Sequence, residues 1–360
     1  MSKKIIYHCP FSLSPDAKSA SGIRPVKLLA AFQALGYNVD VISGFVAERR
    51  LKIKEIKNKI SRGVKYEFCY SESSTMPTLL TEKNHFPTFN NPDFVFFKLC
   101  KVNKIPVKLF YRDIYWCFSD YYKQVGIKGY IAKFFYKYDI KQYLKYVETL
   151  YVPCFKMLDY IPILKKLHCE ELPSGCIIHD SDNFDGRENI SIYVGGIGNH
   201  YNLHKMLSVF SETTKSKLLL CVREDDWNAV KDSYSLNDNI QLLHLSGEAL
   251  NSVYSIPNKS MLFVEPSTYW EFVIPYKLFE YIGWGIPIIA SKDTAVGDYV
   301  CKHDIGWTIP YTEVALTELL SHLEQNKDEI LVKQQNVKQL ALENTWEKRC
   351  EQIAHRGNQT

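Results

Sequence analysis

The opening forty residues constrain the fold more than any other stretch. Ile5 to Cys9 is a short apolar run that reads as a buried strand. Pro10 to Gly22 is rich in Ser, Pro and Ala and reads as a loop. Pro25 to Leu35 reads as a helix, with Val26, Leu29, Ala30 and Phe32 among its apolar positions. Gly36 closes it, and Val39 to Ile42 is the next strand. Strand, loop, helix, strand is a βαβ unit, which requires a parallel sheet covered by helices.

The pattern continues. Phe94–Phe97, Val107–Phe110 and Leu150–Val152 are strand candidates. Leu51 to Arg62 fits either a charged helix or a loop, and Ser71 to Pro92 reads as a long loop facing a cleft. Between Asp159 and Asp185 periodicity fades into Pro162, Pro173, Gly175 and the polar run from His179 to Arg187, which is turn chemistry. A second series follows. Its strands are Ile192–Val194, Lys217–Val222, Ile240–Leu243, Ser260–Val264 and Pro287–Ala290, with a helix over Tyr276–Ile282. The terminal helical stretch, Val332 to Ala354, is interrupted near Asn344. A chain of 360 residues suits two domains. The expected division is 1–165, 166–340 and a tail at 341–360, with the site in the cleft between the two α/β halves.

Bulk properties exclude several classes. A net charge of +4 is too small to argue for nucleic acid, and 23% charged residues suit a folded globular chain. The ten cysteines are scattered and form no Cys-x-x-Cys pair, which favours buried thiols in a reducing cytosol. The first residues lack the apolar core of a signal peptide, and no apolar run is long enough to span a bilayer. His8, His179, His200, His204 and His303 have no convincing metal-ligand spacing. His200 and His204 stand four apart without the glutamate of a zinc-protease helix.

The chemistry concentrates in Pro275 to Ser291. Lys277 and Glu280 are three residues apart and share one face of a helical turn. Gly283 and Gly285 flank Trp284 and allow a tight turn with close approach by a ligand. A carboxylate there suits a ribose diol, and a lysine suits a diphosphate. By spacing alone the same residues also fit a surface ion pair followed by a plain turn. Tyr193 to His200 contains Gly195, Gly196 and Gly198 after a strand, a loop whose amides can cradle phosphate.

Pro275–Ser291 resembles the C-terminal signature of retaining GT-B glycosyltransferases of the GT4-like family, in the branch with Pro-x-Lys-x-x-Glu-Tyr before a Gly-x-Pro turn. The resemblance implies a GT-B fold: α/β, two Rossmann-like domains facing a central cleft, with a C-terminal helix crossing back to the first domain. It implies Glu280 as ribose ligand and Lys277 as phosphate ligand. The family often carries a second glutamate eight residues earlier. Here that position is Phe272, and Glu271 is one place off register, so Glu271 takes no role by carry-over. Many members have an arginine after the first loop glycine where this chain has Gly196, and Arg223 is the substitute candidate. Gly22 resembles the N-terminal glycine loop that approaches the donor phosphate. His303–Trp307 resembles a late glycine turn of structural role.

Leu109-Phe-Tyr-Arg-Asp-Ile-Tyr-Trp116 resembles a bacterial subset associated with surface polysaccharide synthesis. Arg112 stands where a histidine is usual. The resemblance makes Asp113 a residue that orients the sugar or acceptor. Arg112 either touches phosphate or pairs with Asp113.

The implied reaction moves a sugar from a nucleoside-diphosphate-sugar to a hydroxyl of a glycan or lipid-linked acceptor, with retention and without a metal or other cofactor. A nucleotide-sugar epimerase and a non-catalytic scaffold with a degenerate transferase fold are the alternatives. Residues 121–146 add a basic aromatic helix of six lysines and one aspartate. Lys133, Lys137, Lys141 and Lys145 form a stripe beside Ile131, Phe134, Phe135 and Tyr138. That composition suits peripheral contact with an anionic membrane, and the expected location is the cytoplasm or the inner face of the cell membrane.

Overall fold

The computed structural model describes residues 3–17, 19–88, 91–119, 126–180, 189–198, 201–212 and 216–355. Residues 121–125 of the basic stretch, 181–187 of the polar run, and Asn199 and His200 of the glycine loop lie outside them. The chain forms two compact units, Met1–Pro173 with Trp346–Thr360, and Ser174–Thr345.

The first unit is built on six strands: β1 (Lys4–His8), β2 (Asn38–Ile42), β3 (Cys69–Glu72), β4 (Val107–Phe110), β5 (Thr149–Val152) and β6 (His168–Glu171). Their order is β2-β1-β3-β4-β5-β6, and every neighbouring pair is parallel. The interior strands β3, β4 and β5 are buried along their whole length, as strands covered on both faces must be. The helices are α1 (Ala20–Ala34), α2 (Val46–Ser61), α3 (Asp93–Val102) and α4 (Ile127–Tyr146). Right-handed crossovers put α1 on one face of the sheet and α2, α3 and α4 on the other. Strand order reverses between β1 and β3. The carboxyl ends of those strands are therefore where a ligand site is expected.

Several local expectations change. Phe94–Phe97 is helical rather than extended. Phe94, Phe97 and Cys100 are buried while Val95 and Lys98 are exposed, a helical period that four residues cannot reveal. Residues 51–61 are helical, as part of α2, and Arg62 caps its end. The loop expected from Ser71 begins inside β3, whose Ser71 and Glu72 are buried polar residues. The helix expected from Pro25 starts at Ala20 and carries Pro25 within it.

The second unit has strands β7 (Ile190–Gly195), β8 (Lys217–Val222), β9 (Ile240–Leu243), β10 (Lys259–Leu262), β11 (Ile288–Ser291) and β12 (Gly306–Ile309). They form a parallel sheet in the order β12-β11-β10-β7-β8-β9. The series does not end at Ala290, because β12 starts inside the segment expected to be a simple turn. Its helices are α5 (His204–Glu212), α6 (Glu224–Val230), α7 (Asn251–Tyr254), α8 (Tyr276–Gly283), α9 (Ala295–His303), α10 (Glu313–Gln325) and α11 (Lys327–Glu343). Alternation along the strands divides the core between the faces. Ile192, Val194, Ile288 and Ala290 pack with Leu278, Phe279 and Ile282 of α8. Tyr193, Leu218, Leu220 and Ile289 pack with Met206 and Phe210 of α5. The order reverses between β7 and β10, so this sheet also has a switch point at its carboxyl edge.

The last helix, α12 (Trp346–Ala354), returns to the first unit. Cys350 donates its thiol hydrogen to the Leu28 carbonyl of α1 at 3.4 Å. Gln352 donates to Glu171 O at 2.8 Å. The buried Lys108 ammonium of β4 donates to the carbonyls of Ile353 and His355, where the helix end carries partial negative charge. The first unit runs on to Pro173 because β6 adds to its sheet.

Candidate functional site

In the first unit the residues at the switch point form two buried polar groups. At the end of β1, His8 Nδ1 is 2.8 Å from Ser71 Oγ, and Nε2 is 2.8 Å from Asp93 Oδ1. Arg49 of α2 grips the same Asp93 through Nε at 2.9 Å and Nη2 at 2.8 Å. All four side chains are buried, and Asp93 is lowered to about 2 by His8 and Arg49, against burial that would raise it. This group is inaccessible and braces β1, β3, α2 and α3.

The second group centres on Glu72, which is fully buried at the end of β3. It accepts Arg112 Nη2 at 2.8 Å, Arg24 Nε at 3.1 Å and the Tyr70 hydroxyl at 2.9 Å. Arg112 also donates Nε to Ser73 O at 2.7 Å and Nη1 to Ser21 O at 2.8 Å. The last contact has a local cause. Pro25 has no N–H for the carbonyl four residues back, and the guanidinium takes its place. Arg112 therefore makes its ion pair with Glu72 rather than with Asp113. Arg24, which belongs to no motif evident in the sequence, stacks on Phe110 at 3.7 Å. Two guanidiniums share one carboxylate, so the Arg24–Arg112–Glu72 group carries one net positive charge.

Asp113 follows β4 and is half-buried. Burial pushes its carboxyl up to about 7, although the N–H groups of Tyr115 and Ile114 and the Arg112 charge oppose the rise. Its Oδ1 accepts Tyr115 N–H at 2.9 Å. A carboxyl in this range holds or releases a proton near neutral pH. Gly22 is in the first turn of α1, not in a free loop. Its N–H donates to Ser19 O at 3.0 Å, and a side chain there would meet Ala17 Cβ at 2.6 Å. Its contribution is thus close packing of the preceding loop, not a free amide.

In the second unit, Lys277 and Glu280 lie on α8 and form an ion pair, each about a quarter exposed (26% and 24%). Tyr254, at the end of α7, completes the group. Its hydroxyl is 3.4 Å from both Lys277 Nζ and Glu280 Oε2. Burial and the Glu280 charge hold the Tyr254 phenol well above its ordinary range, so it stays a neutral donor. The adjacent Tyr281 hydroxyl accepts Val194 N–H at 2.8 Å and fixes α8 to the carboxyl end of β7. Gly283 is required by packing, since a Cβ there would stand 2.2 Å from Ile177 O. Gly285 has φ +69°, which favours glycine.

The other expected residues surround the same edge. Tyr193 donates its hydroxyl to Gly196 O at 2.7 Å, and a Cβ on Gly196 would meet the Tyr201 ring at 2.9 Å. Asn202 donates to Glu265 at 2.7 Å, linking the glycine loop to the exit of β10 across the switch point. Neither residue was evident from spacing, because each is polar and isolated in sequence. Arg223 is exposed at the carboxyl end of β8, just before the acidic first turn of α6. Phe272 is a core residue beside Tyr269, and Glu271 is exposed. His204 stacks on Tyr234 at 4.2 Å, and His179 stacks on Trp284 at 3.9 Å.

Residues 177–341 match the family model described as Glycosyl transferases group 1. No curated protein matches the chain by sequence. Solved structures similar over nearly the whole length include sucrose-phosphate synthase from Thermosynechococcus elongatus, at 14% identity and TM-score 0.63 over 98% of this chain and 97% of that one. Anabaena HepE in complex with UDP aligns at 10% identity and TM-score 0.64 over 98% of each chain. WaaG, a glycosyltransferase involved in lipopolysaccharide biosynthesis, aligns at 12% identity and TM-score 0.59 over 97% of this chain and 98% of that one. At such identities the likeness is one of fold. Residues 177–341 thus resemble a group 1 glycosyltransferase domain, and the two six-stranded parallel sheets share the GT-B fold of these structures.

Proposed function

We propose that the chain transfers a sugar, with retention of configuration, from a nucleoside-diphosphate-sugar to a hydroxyl of a glycan or lipid-linked acceptor. The observation that carries this reading is the Lys277–Glu280–Tyr254 group beside the carboxyl end of β7, within the matched domain. HepE, which shares the fold, is described in complexes with UDP and UDP-glucose.

As the glycosidic C–O bond breaks, negative charge grows on the departing diphosphate. Lys277 is placed near the start of α8 to meet it, and Arg223 and the amides around Gly196 add positive potential. Donor binding then requires Lys277 to share itself between Glu280 and phosphate, which frees Glu280 to accept the ribose hydroxyls. Front-face transfer asks little of a protein base. Asp113 orients the sugar or the acceptor hydroxyl, and Arg112, locked by Glu72, holds the loop that carries it. The reading assigns the leaving-group charge to side chains and amides and calls for no metal. The Arg112–Trp116 string supports an acceptor from bacterial surface polysaccharide assembly, handled at the inner face of the cell membrane.

The test is to incubate the protein with UDP-, GDP- and TDP-sugars, following melting temperature and nucleoside diphosphate release. One nucleotide class should raise the melting temperature and its sugar donor should be consumed. If no nucleotide binds and no donor is consumed, the reading fails.

A further inference from the structure

The outer surface of α4 differs from the stripe that spacing suggests. Phe135 faces the core, together with Ala132, Tyr136, Ile140 and Tyr143. Ile127, Ile131 and Phe134 instead face outward, at 79%, 53% and 67% exposure, with Tyr138 one turn further on. They recur at i, i+4, i+7 and i+11, which is one helix face. Lys128, Lys137, Lys141 and Lys145 are exposed alongside.

The acids are on the other side. Asp139, the one acidic residue of α4, is buried against Thr78, and Asp93, the one acidic residue of the neighbouring α3, is buried against Arg49 and His8. On α3 the exposed positions include Val95, Lys98, Lys101 and Val102. Lys101 donates to Lys145 O at 2.7 Å and joins the two helix ends. The outer layer of α3 and α4 thus presents cations and apolar side chains, with no exposed carboxylate on either helix among the described residues.

We propose that this face seats on an anionic lipid bilayer, with Ile127, Ile131 and Phe134 among the acyl chains and the lysine heads at the phosphate level. Charge complementarity selects the partner together with the apolar row. A nucleic acid rewards the lysines but leaves Ile127, Ile131 and Phe134 in water, whereas a bilayer satisfies both. No helix among the described residues is long and apolar enough to cross a membrane, so the contact is peripheral. The same helix buttresses the loop bearing Asp113: Tyr136 stacks on Trp116 at 5.2 Å and 10°. Resting on the glycosyl-transfer reading, the docked face holds the Asp113 loop beside the membrane, where a lipid-borne acceptor is presented.

The experiment is sedimentation of the full chain with phosphatidylcholine vesicles and with mixed phosphatidylglycerol–phosphatidylcholine vesicles. Binding should be at least about tenfold stronger on the anionic vesicles and should weaken with salt. The pair Lys137→Gln/Lys141→Gln should lose about tenfold, and the pair Ile131→Ser/Phe134→Ser should lose a similar factor at unchanged melting temperature. Equal binding to both vesicle types, or no binding, overturns the proposal. Binding that survives Ile131→Ser/Phe134→Ser overturns it as mere electrostatic adhesion. A dimer that this second pair converts to monomer, without vesicle binding, assigns the face to a second copy and also overturns it. Nucleotide binding, measured on the same samples, reports separately on the glycosyl-transfer reading.

Discussion

Glu72 shows how one residue can set a site without being visible as part of it. It is a single buried carboxylate between two guanidiniums, with a tyrosine hydroxyl filling a further lone pair. Removing one partner of such a group leaves uncompensated buried charge, which costs about 3–5 kcal/mol. Glu72→Ala should therefore lower stability by about that amount in denaturant titration, and a loss below about 1 kcal/mol would show the network to be solvated. The sequence displays Arg112 and Asp113 as neighbours, which suggests that they pair. The sheet instead brings Glu72 of β3 alongside Phe110 of β4 and hands Arg112 to it. Such pairing depends on register between strands forty residues apart, which no local pattern carries. Lys277 and Glu280 were legible because their partnership is within one helical turn, whereas Tyr254 comes from another helix and was not.

At the scale of elements, α4 is fastened as well as exposed. Asp139 Oδ2 accepts Thr78 N–H at 2.7 Å and Thr78 Oγ at 2.9 Å, tying the helix to the turn at Thr78–Leu80. Its Oδ1 has no hydrogen-bond partner among the described residues. Burial pushes this carboxyl up to about 7, with the Thr78 bonds opposing and the Asp93 charge adding to the rise. The sign follows from linkage. The folded state keeps the proton to higher pH than the unfolded chain, whose carboxyl titrates near 4, so stability falls as pH rises from about 4 to about 7. Asp113 has the same sign. Asp139→Asn should flatten part of that slope, leaving stability at pH 4 similar and raising it at pH 8 by on the order of a few kcal/mol. Thermal unfolding across that range checks it, and an unchanged slope would refute it. Elements with strong apolar runs, such as β1, β8 and β9, were evident in the sequence. β3 was missed because it buries Ser71 and Glu72, and β6 because it is a polar edge strand, His-Cys-Glu-Glu.

At the scale of the whole molecule, each unit repeats one scheme: a six-stranded parallel sheet whose strand order reverses once. In the first unit that reversal carries a locked arginine–glutamate group beside Asp113. In the second it carries Lys277, Glu280 and Tyr254 beside β7, with Asn202 and Glu265 across the gap. The alternation of strand and helix was enough to expect two such units. The return of α12 to α1 was expected from resemblance, and its physical basis, a buried Lys108 donating to the helix's last carbonyls, lies in the structure alone. Phe272 is fixed in the core, so no carboxylate stands at that position, and under the proposed function Glu280 is the carboxylate left to hold the ribose. Titration calorimetry of the preferred nucleoside diphosphate into wild type and Glu280→Ala tests this directly. The account predicts at least a tenfold weaker affinity, about 1.4 kcal/mol, in the variant. An affinity unchanged by loss of the carboxylate would contradict it.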